Sequence, residues 1–208
     1  MSAASPFWLS PEPLVLASGS AARRALLEAA RIPLEILRAP VNEAAIAQAL
    51  LLQRETPHAI AIALAHAKAE AASRRLPDRL VLAVDQTLDH QGVLLMKPES
   101  RAHAREQLLA LRGDPHFLHS AAVLRKGDRV LWAGVASARL TFRAFSDAFL
   151  ETYLDAMGEA IRETVGGYQL EALGPHLFEV IEGDHATILG LPLLPVLHAL
   201  RDLGCLKA

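Results

Sequence analysis

The alternation of apolar and polar positions divides this chain into short strands and amphipathic helices. The apolar run Leu14–Ala17 predicts a buried strand, and Ser20 is placed to cap a helix over residues 21–30. Apolar runs at 32–37 and 80–84 predict two more strands, the second of which leads directly into Asp85. Strands and helices therefore alternate in the first part of the chain, as they do in α/β proteins.

A hairpin-like block follows in the middle of the chain. The turn signal DHQG at 89–92 predicts a hairpin between residues 85–88 and 93–95, and residues 38–43 predict a loop. The other predicted elements are helices capped by Thr56, Ser100 and Ser146, strands at 116–124 and 129–142, extended segments at 166–168 and 177–181, and a last helix over 192–203.

These elements predict an α/β fold with a mixed, strongly twisted sheet and flanking helices, in two lobes around a central cleft. A length of 208 residues is ample for a sizeable core. We expect a single domain over residues 1–208, in which residues 1–13 form a loose N-terminal extension.

Composition and charge narrow the cellular setting and the partners. Charged residues, 21% of the chain, interrupt the apolar 52% too often for a membrane span, and the first residues lack the pattern of a signal peptide. Cys205 is the only cysteine, which excludes an internal disulfide and fits a reducing cytoplasm. A net charge of −2 argues against nucleic-acid and membrane partners. Any bound polyanion is therefore expected to be small and to be contacted by a few positioned lysine or arginine side chains.

The stretch SGS followed by a helix has the features of a phosphate site. Free N–H groups at a helix start and the hydroxyls of Ser18 and Ser20 can donate to phosphate oxygens, and Arg23 lies one turn into the helix. An ordinary capped helix with exposed arginines explains the same residues equally well.

Acidic and basic residues further along the chain are candidates for chemistry. Asp85, at the end of the predicted apolar strand, can hold a divalent metal or take a proton from water, or it can simply start a turn. Lys97 follows the hairpin and is near enough in the chain to meet Asp85, although a solvated lysine is the usual case. Glu43 is a further candidate ligand. His116 and His119 point to opposite faces of a strand, which disfavours a histidine metal site.

The motifs taken in order resemble the Maf family of nucleotide pyrophosphatases. Each motif is ordinary alone, but together they extend from about residue 14 to residue 203. They are LASGSAAR (16–23), PVNE (40–43), AVDQ (83–86), MKP (96–98), LRGDPH (111–116), TFR (141–143), GGYQLEALG (166–174) and IEGDHATILGLPL (181–193).

The resemblance implies a fold related to the inosine-triphosphate pyrophosphatases, frequent dimers, and cleavage of a nucleoside triphosphate into a monophosphate and pyrophosphate. It implies a divalent cation, Mg²⁺, Mn²⁺ or Co²⁺, held at Glu43 and Asp85. Asp85 matches the family's proton acceptor, and Glu43 matches an acidic position associated with the metal and the catalytic water. Lys97 belongs to the same catalytic set. Ser18, Ser20, Arg23 and Lys97 match positions around the phosphates.

Three positions track substrate choice in the resembled family: Ala22, Gln86 and Glu171 here. By this resemblance, Gln86 and Glu171 match the branch that resembles 7-methyl-GTP pyrophosphatases. A carboxylate such as that of Glu171 can accept from guanine N–H groups and favours a cationic methylated base. Ala22 in place of a bulky or basic residue, Ala21 in place of proline and Asn42 in place of aspartate depart from the pattern.

Three alternatives stay open at this point. The leading expectation is a nucleoside triphosphate pyrophosphatase that prefers 7-methyl-GTP. The alternatives are a dTTP and UTP pyrophosphatase of the same family, a non-catalytic nucleotide-binding regulator of cell division, and an enzyme that removes the terminal phosphate.

Overall fold

A mixed β-sheet runs through the protein. In a computed structural model that describes residues 5–38 and 40–208, seven strands pair in the order β2-β1-β3-β5-β6-β7, and β4 pairs with β3. They are β1 (Leu14–Ala17), β2 (Leu34–Ile36), β3 (Val81–His90), β4 (Val93–Leu95), β5 (Pro115–Lys126), β6 (Arg129–Phe142) and β7 (Phe178–Glu182). β1 runs parallel to β2 and β3, and the other pairs are antiparallel. The mixed sheet expected from the sequence is confirmed.

Seven α-helices, counted over the same described residues, flank this sheet. They are α1 (Ala21–Ala29), α2 (Glu43–Leu52), α3 (Pro57–Arg75), α4 (Arg101–Leu111), α5 (Asp147–Met157), α6 (His185–Ile188) and α7 (Leu193–Asp202). The predicted caps are confirmed, because Ser20, Thr56, Ser100 and Ser146 each accept a hydrogen bond from the third residue of their helix. None of the helices in this part of the chain has the length and apolar character needed to cross a bilayer.

Alternation along β3 divides the core between the two faces of the sheet. Val81 and Ala83 pack with the small side chains of α3, whereas Leu82 and Val84 pack with α1 and α7. A separate apolar cluster joins α4 and α5 to β5 and β6 and includes the buried Tyr168. The functional residues described below line a cavity beside these clusters.

Helix α2 begins at the end of the predicted loop at 38–43 and continues through a segment for which the sequence predicts no helix or strand. Its residues EAAIAQALLL are apolar almost throughout and so give no helical period. Asn42 caps it by accepting a hydrogen bond from Ala45 N at 3.1 Å. Asparagine and aspartate cap equally well, so the departure at this position keeps the helix start.

Other predictions along the chain are wrong in detail. Asp85 does not end a strand but lies in the middle of β3. The segment expected to be extended at 166–168 instead begins with a turn at Val165–Gly167, in which Gly166 and Gly167 take positive φ values of 73° and 66° that are incompatible with an extended strand.

The N-terminal segment is held on the body of the protein. Residues 1–4 of the expected loose extension lie outside the described residues, but the backbone N–H of Leu9 donates to Cys205 O at 2.9 Å. Lys207 N donates to Phe7 O at 3.0 Å. This part of the segment is therefore paired with the C-terminal end and is not loose.

Candidate active site

The predicted site residues all line one cavity of about 1190 Å³. They are Ser18, Ser20, Ala22, Arg23, Glu43, Asp85, Gln86, Lys97 and Glu171. The pairing of β1 with β3 explains why the motif LASGSAAR (16–23) lies next to Asp85. β1 ends at Ala17, which is paired with Ala83 of β3, so the following loop leaves the sheet beside Asp85.

The serines of this loop keep their hydroxyl protons available. Ser18 Oγ accepts from Ser20 N at 3.3 Å and from Arg23 Nη1 at 3.1 Å. Ser20 Oγ accepts from Arg23 N at 3.4 Å. Since both oxygens act as acceptors toward the protein, both O–H groups can donate to an anion in the cavity.

Arg23 is fixed in the wall of the cavity. Its Nε donates to Gly190 O at 2.8 Å, and its Nη1 donates to Val84 O at 3.0 Å as well as to Ser18. Burial lowers the pKa of Arg23, and the nearby Asp85 and Glu43 carboxylates act in the opposite direction. Among the described residues Nη2 has no hydrogen-bond partner, so its two N–H groups can serve a phosphate.

Lys68 is a site residue that the sequence analysis missed. It donates to Asp85 Oδ1 from helix α3, and Glu43 Oε2 lies 3.0 Å from its Nζ. A signal for it exists in the sequence. Ala61, Ala65 and Ala72 form the buried stripe of α3, and Lys68 falls on the same stripe at helical spacing.

Lys97 does not make the expected contact with Asp85. It is exposed in the wall of the cavity, and within the described residues no carboxylate lies within ion-pair distance of its Nζ. Helix α3 brings Lys68 across the sheet to that carboxylate instead. Lys97 is therefore free to meet a ligand.

Asp85 has the properties of a proton acceptor. It is 5% exposed. Burial raises its pKa above that of an ordinary aspartate, while the cations of Lys68 and Arg23 oppose the rise. A carboxylate with a raised pKa is a stronger base than a solvated aspartate.

Glu43 and Asp85 are the expected ligands of a divalent cation. Across residues 5–38 and 40–208 no group of three or more His, Cys, Asp or Glu side chains is arranged to hold a metal. The two carboxylates flank Lys68 Nζ and both line the cavity. Mg²⁺ is commonly held by one or two carboxylates together with substrate phosphates. The pair therefore fits a cation that is shared with a phosphorylated ligand.

Arg38 is a second cationic residue that no sequence motif indicated, and it packs on the loop of residues 18–20. A Cβ at Gly19 would come within 2.8 Å of Arg38 Nε, so the guanidinium packs directly on this glycine. Arg38 also lines the cavity, and its carbonyl accepts from Arg75 Nη1 at 3.1 Å. A side chain at position 19 would therefore displace the guanidinium group of Arg38 from the loop.

The three positions that track substrate choice differ in their surroundings. Glu171 is exposed in the wall of the cavity, and Ala22 lies at the start of α1. Gln86 donates through Nε2 to Ser120 Oγ, Thr187 O and Ile188 O at 3.0 to 3.1 Å. Of these three side chains, only that of Glu171 is charged.

Comparisons with known proteins agree over nearly the whole chain. The model of the Maf-like protein family matches residues 13–203. The chain is 48% identical over 195 residues to the nucleoside triphosphate pyrophosphatase of Rhodopseudomonas palustris (strain BisB18), covering 94% of this chain and 96% of the relative. It is 47% identical to the protein of that name from Gluconobacter oxydans (strain 621H), covering 94% and 97%.

A further relative has a more specific name, and one solved structure shows a weak likeness. The 7-methyl-GTP pyrophosphatase of Rhizobium meliloti (strain 1021) is 44% identical, with 94% of this chain and 98% of the relative covered. Among solved structures, a HAM1 protein from Coxiella burnetii aligns with a TM-score of 0.42 at 16% identity, covering 64% of this chain and 74% of that one. That likeness is too slight to inform the site.

Proposed function

The chain belongs to the Maf-like protein family, and from this membership and its cleft we infer that it is a nucleoside triphosphate pyrophosphatase. The observation that carries the inference is the buried Asp85 beside Lys68 and Arg23. These residues share one cavity with Ser18 and Ser20. A triphosphate carries about four negative charges, which several placed cations can offset.

The proposed reaction uses Asp85 as the general base. Asp85 accepts a proton from a water molecule as the water oxygen attacks the α-phosphorus. The bond from the α-phosphorus to the bridging oxygen breaks, and pyrophosphate leaves with that oxygen. Arg23, through its free Nη2, and the two serine hydroxyls hold the phosphates. Preorganised donors of this kind stabilise the charge that develops on phosphoryl oxygens in the transition state.

We propose Glu43 and Asp85 as the residues that hold a divalent cation, Mg²⁺, Mn²⁺ or Co²⁺, together with the phosphates. When bound, such an ion neutralises charge on the leaving pyrophosphate. Lys68 then keeps the two carboxylates close together, since both contact its ammonium group.

We propose 7-methyl-GTP as the preferred substrate. Methylation at N7 makes the base cationic, and the exposed Glu171 in the cavity wall offers it a carboxylate. The name of the Rhizobium meliloti relative supports this choice. A cytoplasmic location and a homodimer are further proposals, which cell fractionation and size-exclusion chromatography test.

A panel of triphosphates with product identification tests the proposed function. The panel contains 7-methyl-GTP, GTP, UTP, dTTP and ATP, each with Mg²⁺, Mn²⁺ or Co²⁺, and products are separated by ion-exchange chromatography. We expect a monophosphate and pyrophosphate, with 7-methyl-GTP turned over fastest. A diphosphate and inorganic phosphate would contradict the reaction. A tenfold preference for UTP or dTTP would contradict only the choice of base.

A further inference from the structure

The NH2 group of the Gln86 side-chain amide faces the protein, although the residue lines the cavity. Nε2 donates to the carbonyls of Thr187 at 3.1 Å and Ile188 at 3.0 Å. Because carbonyl oxygens only accept, the nitrogen of the amide must face them. Ser120 Oγ, 3.0 Å from the same nitrogen, itself donates to Thr187 O at 2.8 Å. Both N–H groups of Gln86 are therefore committed inside the fold.

The turn that receives these hydrogen bonds leads directly to Arg23. Gly190 N donates to Thr187 O at 3.0 Å, and Gly190 O accepts from Arg23 Nε at 2.8 Å. Gly190 takes a φ of 95°, and a Cβ there would lie 3.0 Å from Arg23 Nε. Thr187 O is thus a shared acceptor that links Gln86 and Ser120 to Gly190, whose carbonyl accepts from the Arg23 guanidinium group.

Burial leaves this arrangement little freedom. Ser120 and Thr187 are fully buried. The hydroxyl and N–H of Thr187 are both bonded to Asp184, which caps α6. A change at Gln86 would leave two buried carbonyls with fewer donors, and the turn would have to shift to satisfy them. Arg23 takes its position from the same turn.

We propose that Gln86 is a positioning residue for the phosphate-binding Arg23, acting through the turn at residues 187–190, and not a hydrogen-bond donor to the base. The inference rests on the proposed function only in taking a polyphosphate as the ligand of Arg23. It separates Gln86 from Glu171, with which it is grouped by resemblance. Gln86 then affects every polyphosphate equally, including one that has no base.

Binding of inorganic tripolyphosphate tests the proposal. Isothermal titration with Mg²⁺ present compares the full-length protein with its Gln86→Ala and Gln53→Ala variants. We expect Gln86→Ala to weaken tripolyphosphate, UTP and 7-methyl-GTP by the same factor, about tenfold, because a hydrogen-bonded support of a charged group is lost. Gln53→Ala, at an exposed glutamine that does not line the cavity, is the matched control and should leave all three binding constants unchanged. Unaltered tripolyphosphate binding by Gln86→Ala, with a changed ratio between the nucleotides, would overturn the proposal.

A double-mutant cycle separates this effect from general damage to the fold. In an Arg23→Lys background the turn has no guanidinium to position, so Gln86→Ala should weaken tripolyphosphate by less than about twofold. A full tenfold loss in that background would overturn the proposal, as would wild-type protein that binds no tripolyphosphate. Thermal denaturation of each variant accompanies the cycle. Because all of these readouts are binding constants, a wild-type protein that binds but does not hydrolyse nucleotides contradicts the proposed function alone.

Discussion

Lys68 forms an ion pair with Asp85, seventeen residues further along the chain, and both groups are largely buried. The ammonium group stabilises the ionised carboxylate, which burial otherwise disfavours. The same ammonium group also contacts Glu43. The ion pair therefore sets the pH range in which Asp85 can accept a proton.

Replacement of Lys68 by methionine should move the acid limb of the pH–rate profile to higher pH. Asp85 must be ionised to act as a base, and loss of the ammonium group raises its pKa further above the ordinary aspartate value. The measurement is kcat/KM for pyrophosphate release against pH. Lys97→Met is the matched control, because Lys97 lines the cavity without pairing with Asp85. It should raise KM and leave the limb in place. An unmoved limb in Lys68→Met would argue against Asp85 as the base.

Asp85→Asn should separate activity from stability. We expect kcat to fall about 100-fold or more, since general-base catalysis commonly contributes that much. The free energy of unfolding should fall by less than about 2 kcal/mol, because burial already disfavours the charged carboxylate and the Lys68 ammonium group keeps Glu43 as an ion-pair partner. Pyrophosphate release and urea denaturation provide the two measurements. Asp89→Asn, on the same strand but outside the cavity, should keep its activity. Full activity in Asp85→Asn would show that another group takes the proton.

The local parts of the site could be predicted from the sequence. Ser18, Ser20 and Arg23 follow directly from a strand, a cap and the first turn of a helix, and each of these is a short-range signal. The position of Asp85 on an apolar strand was equally local, although the strand continues past it. Helix caps at four serine or threonine residues were predicted for the same reason.

The parts that depend on packing between distant segments could not be predicted in this way. Lys68 reaches Asp85 only because α3 crosses the face of β3, and Arg38 reaches Gly19 from the end of another strand. Lys97 is nearer to Asp85 along the chain than Lys68 is, so proximity in the sequence predicted the wrong lysine as the partner of Asp85. The hydrogen bonds of Gln86 go to carbonyls about a hundred residues away, which no spacing rule encodes.

Folding keeps His116 neutral, and this should make stability depend on pH. His116 is fully buried, its Nε2 lies 2.8 Å from Tyr168 Oη, and burial lowers its pKa from 6.5 to about 3. Below about pH 6.5 the unfolded chain binds a proton that the folded protein refuses, so stability is lost as the pH falls toward 3. From pH 7 to pH 5 the loss from this one group is about 2 kcal/mol.

Urea unfolding of wild type and His116→Phe at several pH values measures this contribution. The variant loses the hydrogen bond to Tyr168 at every pH, but its curve should be flatter between pH 7 and 5 by the contribution of His116. His176→Asn, at an exposed histidine, should keep the wild-type slope. Parallel curves for wild type and His116→Phe would contradict the prediction.

Gly190→Ala and Gly113→Ala should differ in activity but not greatly in stability. Both glycines have positive φ, 95° and 78°, so alanine at either position costs roughly 1–2 kcal/mol of backbone strain. At Gly113 a Cβ meets no atom within 4 Å, whereas at Gly190 it comes 3.0 Å from Arg23 Nε. Gly190→Ala should therefore also displace Arg23 and lower kcat/KM about tenfold or more, since a misplaced phosphate-binding group loses transition-state stabilisation. Gly113→Ala should retain wild-type kcat/KM at temperatures where it is folded. If both variants kept full activity, the position of Arg23 would not depend on Gly190.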